Sequence, residues 1–392
     1  MRASTPVLLL DNGDVSKGYG RQPELKYETA MRAMSEMGYA AANVGERDLL
    51  LGIDYVKYVA DFTGVSLVSA NLVDGAGAPL FQQYVLRQIP SGDREATAAV
   101  IGVISTDFKE EIESLNPGLF VDEYDSTLDR LIGELGGKAD LLILLAHASE
   151  EEARVAAERL PRIDLVISSH TGDDPFPVPA MAGDVPIVFA GISGMHAGVA
   201  TLEMGKDRAK FLSFSPKKLD GTVGDSPRML ALLEEYQQML RAEKLLEAVP
   251  RTDHLAAGFV GDDACLRCHS LSSYRFHKSK HAHAFEALVG KKHEYDPECV
   301  ACHTVGFGYT SGFASPETTP ELKDVGCENC HDPGGKHVED PLAEEYGEVA
   351  RETCESCHNP ENSPTFVYEE RIKEIKHNSP FLCSARICHW LD

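Results

Sequence analysis

Short, unbroken apolar runs recur through the first half of the chain. Residues 7–10 (VLLL), 99–104 (AVIGVI), 141–145 (LLILL), 165–167 (LVI) and 187–190 (IVFA) have the length and flanks of buried strands. Between them lie stretches with helical spacing, such as Tyr27, Met31, Met34 and Met37, a stripe that predicts a core-facing helix. This alternation predicts an α/β sandwich or doubly wound sheet over residues 1–215. Residues 215–224 hold a proline, two lysines and two glycines among few apolar side chains, as a linker does. A helix is predicted over residues 229–246, with Leu230, Leu233, Tyr236, Leu240 and Leu245 available for one docking face. From about residue 258 the periodicity fades and histidine becomes dense, with twelve of the fifteen histidines after residue 250. The expected organisation is thus an α/β domain (1–215), a linker with a docking helix (216–255), and a small, mostly helical or irregular domain (256–392).

Composition narrows the class. A hydrophobic share of 43% with 25% charged residues is that of a globular chain, and 392 residues allow two or three domains. Apolar runs stay well short of the ~18 residues of a membrane span. A formal charge of -25 repels a phosphate backbone, so nucleic acid is not an expected partner, whereas cationic proteins and metal oxides are.

The chemistry lies in the cysteines. All ten follow residue 264, and each pair is closed by a histidine. Four pairs have the spacing C-x-x-C-H: Cys265, Cys268, His269; Cys299, Cys302, His303; Cys327, Cys330, His331; and Cys354, Cys357, His358. Two thiols about one helical turn apart can each form a thioether to one haem vinyl while the adjacent histidine reaches the iron, so the motif predicts covalent haem c. Structural zinc is the alternative for paired C-x-x-C, but it does not call for a histidine after every second cysteine. The fifth pair, Cys383 and Cys388 followed by His389, has two more residues between its thiols. It is read as a variant haem site, with a C-terminal disulfide as the alternative. Five haems would supply much of the apolar surface that residues 256–392 lack.

Within the haem region HAHAFEAL (281–288), DPECVACHTVGFG (296–308) and VGCENCHDPG (325–334) resemble the tetrahaem cytochrome that accepts electrons from hydroxylamine oxidoreductase, and its multihaem relatives. The resemblance covers about 100 residues and implies a haem-packed, mostly helical domain with haem pairs close enough for fast electron transfer. The chain departs from that family by its fifth site and by Asp332 in place of a glycine. Each iron needs a second axial ligand, and ligand identity sets its potential. The distal candidates are His281, which aligns with a family ligand, and His283, His293, His337 and His377. His254 and His277 are read as spare surface or supporting residues.

The first domain resembles the metallophosphoesterases of the 5'-nucleotidase and UDP-sugar hydrolase type. The resemblance lies in LLLDNGD (8–14), GYAAANVGERD (38–48), SANL (69–72), LLAH (144–147), DLVISSH (164–170) and GISGMHAG (191–198). It implies a four-layered α/β/β/α sandwich with two metals at the strand ends. The family's Gly-Asn-His-Glu is replaced by Gly45, Glu46, Arg47 and Asp48, and its Gly-His-x-His by Ser169, His170, Thr171 and Gly172. The strand with the first Asp-x-His pair would lie before Met1. Asp14, Glu46, His147 and His170 are left as ligands of one divalent metal. Hydrogen-bonded core histidines are the alternative for His147 and His170.

These features point to an electron carrier rather than an enzyme, with no catalytic residue assigned. Covalent haem is attached outside the cytoplasmic membrane, so a periplasmic or extracellular location is expected, with a leader upstream of the sequence. Redox proteins or extracellular electron acceptors are the expected partners, and self-assembly is a further one. A secreted phosphoesterase with a redox tether, a small-molecule reductase at a five-coordinate haem, and a cytochrome filament subunit are the alternative readings.

Overall fold

The computed structural model describes residues 6–91, 94–205, 208–254, 258–342, 347 and 349–377. The chain divides into two compact units, residues 1–233 and 234–392.

The first unit is built on a six-stranded sheet in the order Ala180–Ala182, Val185–Val188, Leu165–Ile167, Leu141–His147, Arg94–Ile104, Tyr84–Ser91. Its four inner strands run parallel and its two edge strands antiparallel. Leu141–His147 is buried at every position, which is why its sequence is apolar without alternation. One face of the sheet takes Leu128, Leu131 and Leu135 from the helix Tyr124–Leu135, and Ala153, Ala156 and Ala157 from the helix Glu150–Arg159. The other face packs against Ala41 and Val68 of a three-stranded parallel sheet (Leu10–Asp11, Ala41–Asn43, Leu67–Val68) and against Phe211 and Phe214 of a two-stranded ribbon. Tyr27, Met31 and Met34 from Arg21–Met37, with Val56 and Val59 from Ile53–Thr63, cover the far side of the smaller sheet. The layers are therefore helix, sheet, sheet, helix, the α/β sandwich expected.

Several elements differ locally from expectation. Of residues 7–10 only Leu10 is in a strand, Leu10–Asp11, because pairing with Ala41–Asn43 begins there. The run at 187–190 lies two residues earlier as Val185–Val188, where it pairs with Leu165–Ile167. Met37 ends its helix exposed. Residues 215–218, read as linker, complete the strand Ala209–Lys218, with Pro216 opposite Gly198 in a two-stranded ribbon, a setting that tolerates a missing donor. The predicted docking helix is Pro227–Ala242 followed by a short turn of helix, Leu245–Ala248. It buries Leu232, Tyr236 and Leu240 and exposes Leu230 and Leu233.

The second unit is a series of short helices: Asp262–Leu266, Ser270–Phe276, Ala284–Lys291, Pro297–His303, Glu328–His331, Gly335–Glu339, Arg351–Glu355 and Tyr368–Ile375. Among the described residues its buried apolar cluster is Leu246, Phe285, Leu288, Val300, Val305, Phe313 and Leu322. With Tyr236, Leu240, Leu245 and Phe276, eleven apolar side chains of this unit are buried among its described residues, few for its length. No helix of the described residues is long and apolar enough to cross a membrane.

Candidate haem and metal sites

In the second unit each described C-x-x-C-H motif sits on or beside a short helix, which brings both thiols to one side and the histidine to the end. Three of these histidines face a histidine from elsewhere in the chain. The ring centres of His269 and His337 lie 6.2 Å apart, those of His281 and His358 5.8 Å, and those of His331 and His377 6.1 Å. Two imidazoles on opposite sides of one metal, each nitrogen about 2.0 Å from it, have ring centres about 6 Å apart. His303 Nδ1 lies 2.6 Å from the Ala284 carbonyl and His331 Nδ1 2.8 Å from the Gly347 carbonyl. A carbonyl can only accept, so Nδ1 carries the proton in both rings and Nε2 presents its lone pair, the tautomer a metal takes. His358 Nδ1 lies 2.9 Å from Ser363 Oγ. Burial pushes His269, His281, His331 and His358 down from the ordinary histidine range, toward the neutral form that can ligate.

The other two distal candidates are placed differently. His283 Nε2 faces the His277 carbonyl at 3.2 Å and its Nδ1 lies 3.7 Å from Glu286, while His293 Nδ1 is 4.0 Å from Cys299 Sγ. The ring of His254 stands edge-on to Tyr309. The motifs also meet through their thiols. Cys265 lies near Cys327, Cys302 near Cys357, and Cys330 near Cys354 and Cys357. Cys383, Cys388 and His389 lie outside the described residues.

In the first unit Asp14, Glu46, His147 and His170 present ligand atoms within 4.8 Å of one another. His147 ends the strand Leu141–His147, and the capping box of Ser149 and Glu152 starts the next helix immediately after, fixing that strand end. Asp14 and Glu46 come from loops tied together by Asp48, which accepts hydrogen bonds from the Asp14, Ser16 and Gly45 amides. Gly45 must be glycine, since a Cβ there would strike the Asp14 carboxylate and the His147 ring. Asp14 and His170 both have left-handed backbone, with φ of 60° and 48°, a conformation held only where the surroundings over-determine it.

His147 Nδ1 lies 2.6 Å from the Asn12 carbonyl and so carries a proton. Its Nε2 points at Glu46 Oε2 (2.7 Å) and at His170 Nε2 (2.9 Å). In a neutral ring that nitrogen is a lone pair facing the Glu46 carboxylate, an arrangement that needs either a second proton or a cation. Without a metal the proton serves: burial pushes His147 down, but the Glu46 hydrogen bond and the Asp14 charge outweigh it and raise it to about 9. Burial pushes Glu46 up, and the hydrogen bonds from His147 and His170 more than reverse this, holding it well below the carboxylate range. Burial raises Asp14 to about 6. With neutral imidazoles the set carries two negative charges, which suits a divalent cation of the zinc or manganese kind. Phe108 packs over His170 with ring centres 4.8 Å apart. Arg47, half exposed, holds Nε 3.6 Å from both Asp14 Oδ2 and Glu46 Oε1. Sequence reasoning left Asn12, Asp48 and Phe108 without a role. Asp48 was visible close to Glu46 in the sequence, whereas nothing in the sequence indicates that Asn12 and Phe108 face His147 and His170.

Both units have relatives among known proteins. Residues 264–332 match the family model of cytochrome c554 and c-prime. The cytochrome c-554 of Nitrosomonas europaea is 29% identical over 174 residues, 31% of this chain and 74% of that protein. The 2',3'-cyclic-nucleotide 2'-phosphodiesterase/3'-nucleotidase of Yersinia enterocolitica is 23% identical over 275 residues, 61% of this chain and 42% of that protein. The sulfate thiohydrolase SoxB of Thermus thermophilus superposes with a TM-score of 0.52 at 23% identity, over 60% of this chain and 43% of that one. The chain thus spans under half the length of the phosphodiesterase and the thiohydrolase it matches. The chain joins a metallophosphoesterase-like α/β fold to a cytochrome c554-type segment. The cytochrome match supports haem c as a cofactor and haem-based electron transfer as its use.

Proposed function

We propose that the protein is an extracytoplasmic electron carrier with haem c at Cys265/Cys268, Cys299/Cys302, Cys327/Cys330 and Cys354/Cys357, and a fifth at Cys383/Cys388. The observation that carries this reading is the set of three facing histidine pairs with ring centres 5.8 to 6.2 Å apart. Bound haem iron supplies reversible one-electron chemistry. His269 with His337, His331 with His377, and His358 with His281 would hold three irons from both sides. His303, its ring oriented by the Ala284 carbonyl, would hold a fourth from one side. Neighbouring thiols, Cys265 beside Cys327, Cys330 beside Cys354 and Cys357 beside Cys302, support a linear order of the attachment sites. Such an order suits passage of electrons from one end of the unit to the other, to a redox protein or an extracellular acceptor. The intact mass of the exported protein tests the count. A gain of five haems is expected, and a gain of four with Cys383 and Cys388 disulfide-linked would remove the fifth site alone.

The first unit, in this reading, binds one divalent cation and serves as a scaffold or docking element. A secreted phosphoesterase is the second reading, favoured by the convergence of Asp14, Glu46, His147 and His170 in a metallophosphoesterase-like fold. Two-metal hydrolysis needs one metal to activate the attacking hydroxide and the pair to stabilise the phosphoryl oxygens. Four ligands suffice for one ion, and an arginine side chain, with donors and no acceptor, does not shuttle a proton as the family's histidine does. Phosphate release from AMP and sugar nucleotides by the exported protein, supplied with manganese or zinc, separates the readings. Background hydrolysis is expected, and turnover near the ~10 per second of ordinary enzymes, abolished by Asp14→Ala, would establish the second.

A further inference from the structure

The two end thiol junctions of the second unit, Cys265 with Cys327 and Cys302 with Cys357, differ in charge. At the first, Asp262 Oδ1 accepts a hydrogen bond from the Cys327 amide at 2.8 Å, and its carboxylate also contacts the Cys327 thiol. Glu328, inside the same C-x-x-C-H motif, is buried. Its carboxylate accepts from the Val260 amide (3.1 Å to each oxygen), the Gly261 amide (2.8 Å) and the Gly334 amide (2.7 Å). These three partners are all donors, which fits a carboxylate, since a carboxylic acid would turn a proton toward an N–H. The charges of Asp262 and Glu328 both bear on the Cys265 thiol, and that of Asp332 bears on His331. At the second junction the groups acting on Cys302 and Cys357 are Cys299, Ser356 and each other, and His358 is shifted by burial.

A negative charge held near a redox centre in a medium of low dielectric favours the oxidised, more positive iron, and buried charges are screened least by salt. We infer that Asp262 and Glu328 hold the haems on Cys265 and Cys327 at lower potential than those on Cys302 and Cys357, giving the electron path a direction. Electrons then enter at the Cys265/Cys327 end and leave at the Cys302/Cys357 end. The inference rests on the haem attachment proposed above. Glu328 acts twice, because the same bonds that keep its charge buried pin the motif to residues 260, 261 and 334. Glu328 and Asp262 are tuning and positioning residues and touch no substrate.

The test is a spectroelectrochemical titration of the exported holoprotein, resolved into its component potentials, for the native chain and for Asp262→Asn, Glu328→Gln and Glu355→Gln. The Asp262→Asn change keeps an oxygen for the Cys327 amide and removes only the charge. Glu355, exposed beside Cys354, is the surface control. Asp262→Asn and Glu328→Gln are each expected to raise a low-potential component, with at least a tenfold change in its reduced-to-oxidised ratio at fixed potential, about 59 mV for a one-electron couple. The highest components should stay in place, and Glu355→Gln should move less than either. Movement no larger than that of the control, or movement of the highest component, overturns the inference. Glu328→Gln would turn an amide toward backbone donors, so if that variant loses haem the decision falls to Asp262→Asn alone. Intact mass is read on the same samples, and a native chain without haem on Cys327 would instead overturn the attachment on which the inference stands.

Discussion

The two units reach order by different means. The first buries a continuous stack of aliphatic side chains between two sheets and two helical layers, so its fold is written in its own apolar pattern. The second has seven buried apolar residues in its described cluster, short helices, and cysteines that are half-buried apart from the exposed Cys268. A chain segment with so little core needs covalent or cofactor support. The comparison teaches that one polypeptide can join a unit whose core is written in its own apolar pattern to one that keeps a small apolar core and concentrates cysteine and histidine.

The largest expected effect tests that difference directly. Expression without haem maturation should leave the second unit open to limited proteolysis across residues 258–377 while residues 6–218 resist. Equal resistance of both units would break the contrast. Next, Leu144→Ala, at a fully buried position of the central strand, should cost about 2–5 kcal/mol of the first unit's stability. Thermal unfolding followed at the haem bands should be unchanged, so a coupled loss would show that the second unit depends on the first. Third, His281→Ala should convert the haem on Cys354 and Cys357 to high spin and open it to carbon monoxide, because its ring faces His358. His283→Ala, whose native ring faces the His277 carbonyl, should leave the spectrum as it was. A change in the second variant and none in the first would exchange the two roles.

The fold of the first unit was legible because strands buried on both faces leave unbroken apolar runs, as in 141–145, and because Tyr27, Met31 and Met34 keep helical spacing. The edges were less so. Residues 7–9 look like a strand, yet the ladder begins only at Leu10, and residues 215–218 look like a linker because proline and lysine are tolerated in a two-stranded ribbon. The motif histidines were legible because the C-x-x-C-H spacing sets them beside their cysteines. His281, His337 and His377 could be named as distal candidates, but not the motif each one faces, since a facing histidine can come from anywhere in the chain. His337 lies 68 positions after His269, while His281 lies 77 before His358. The four residues of the candidate metal site could be named from the motifs that carry them, but the supporting contacts of Asn12, Asp48 and Phe108 exist only in three dimensions.

A smaller effect should appear in the pH dependence of cation binding by the first unit. In the metal-free site His147 is raised to about 9 and Asp14 to about 6, so at neutral pH the cation must displace the proton on His147. Protons and metal compete, and affinity therefore rises with pH while His147 remains protonated. Manganese or zinc titrations at three values between these two pKa positions should show affinity climbing by up to roughly tenfold per pH unit and levelling above the upper one. Affinity that is flat over this interval would show that His147 is neutral before the metal arrives.

The smallest expected effect concerns Arg47. Its guanidinium lies 3.6 Å from both Asp14 and Glu46, so it competes with a cation for the same two carboxylates. The side chain is half exposed and its distances exceed those of a hydrogen-bonded pair, so the interaction belongs with surface ion pairs of about 0–1 kcal/mol. Arg47→Ala should then raise divalent-cation affinity by no more than about fivefold. The backbone amide of residue 47 still donates to Asp14 Oδ1 in the variant, so the loop that carries Glu46 keeps its place. Calorimetric titration with manganese compares the variant with the native chain at one ionic strength. A gain beyond about tenfold would mean that Arg47 occupies the cation position rather than flanking it, and a loss of binding would mean that its charge organises Asp14 and Glu46 instead of competing for them.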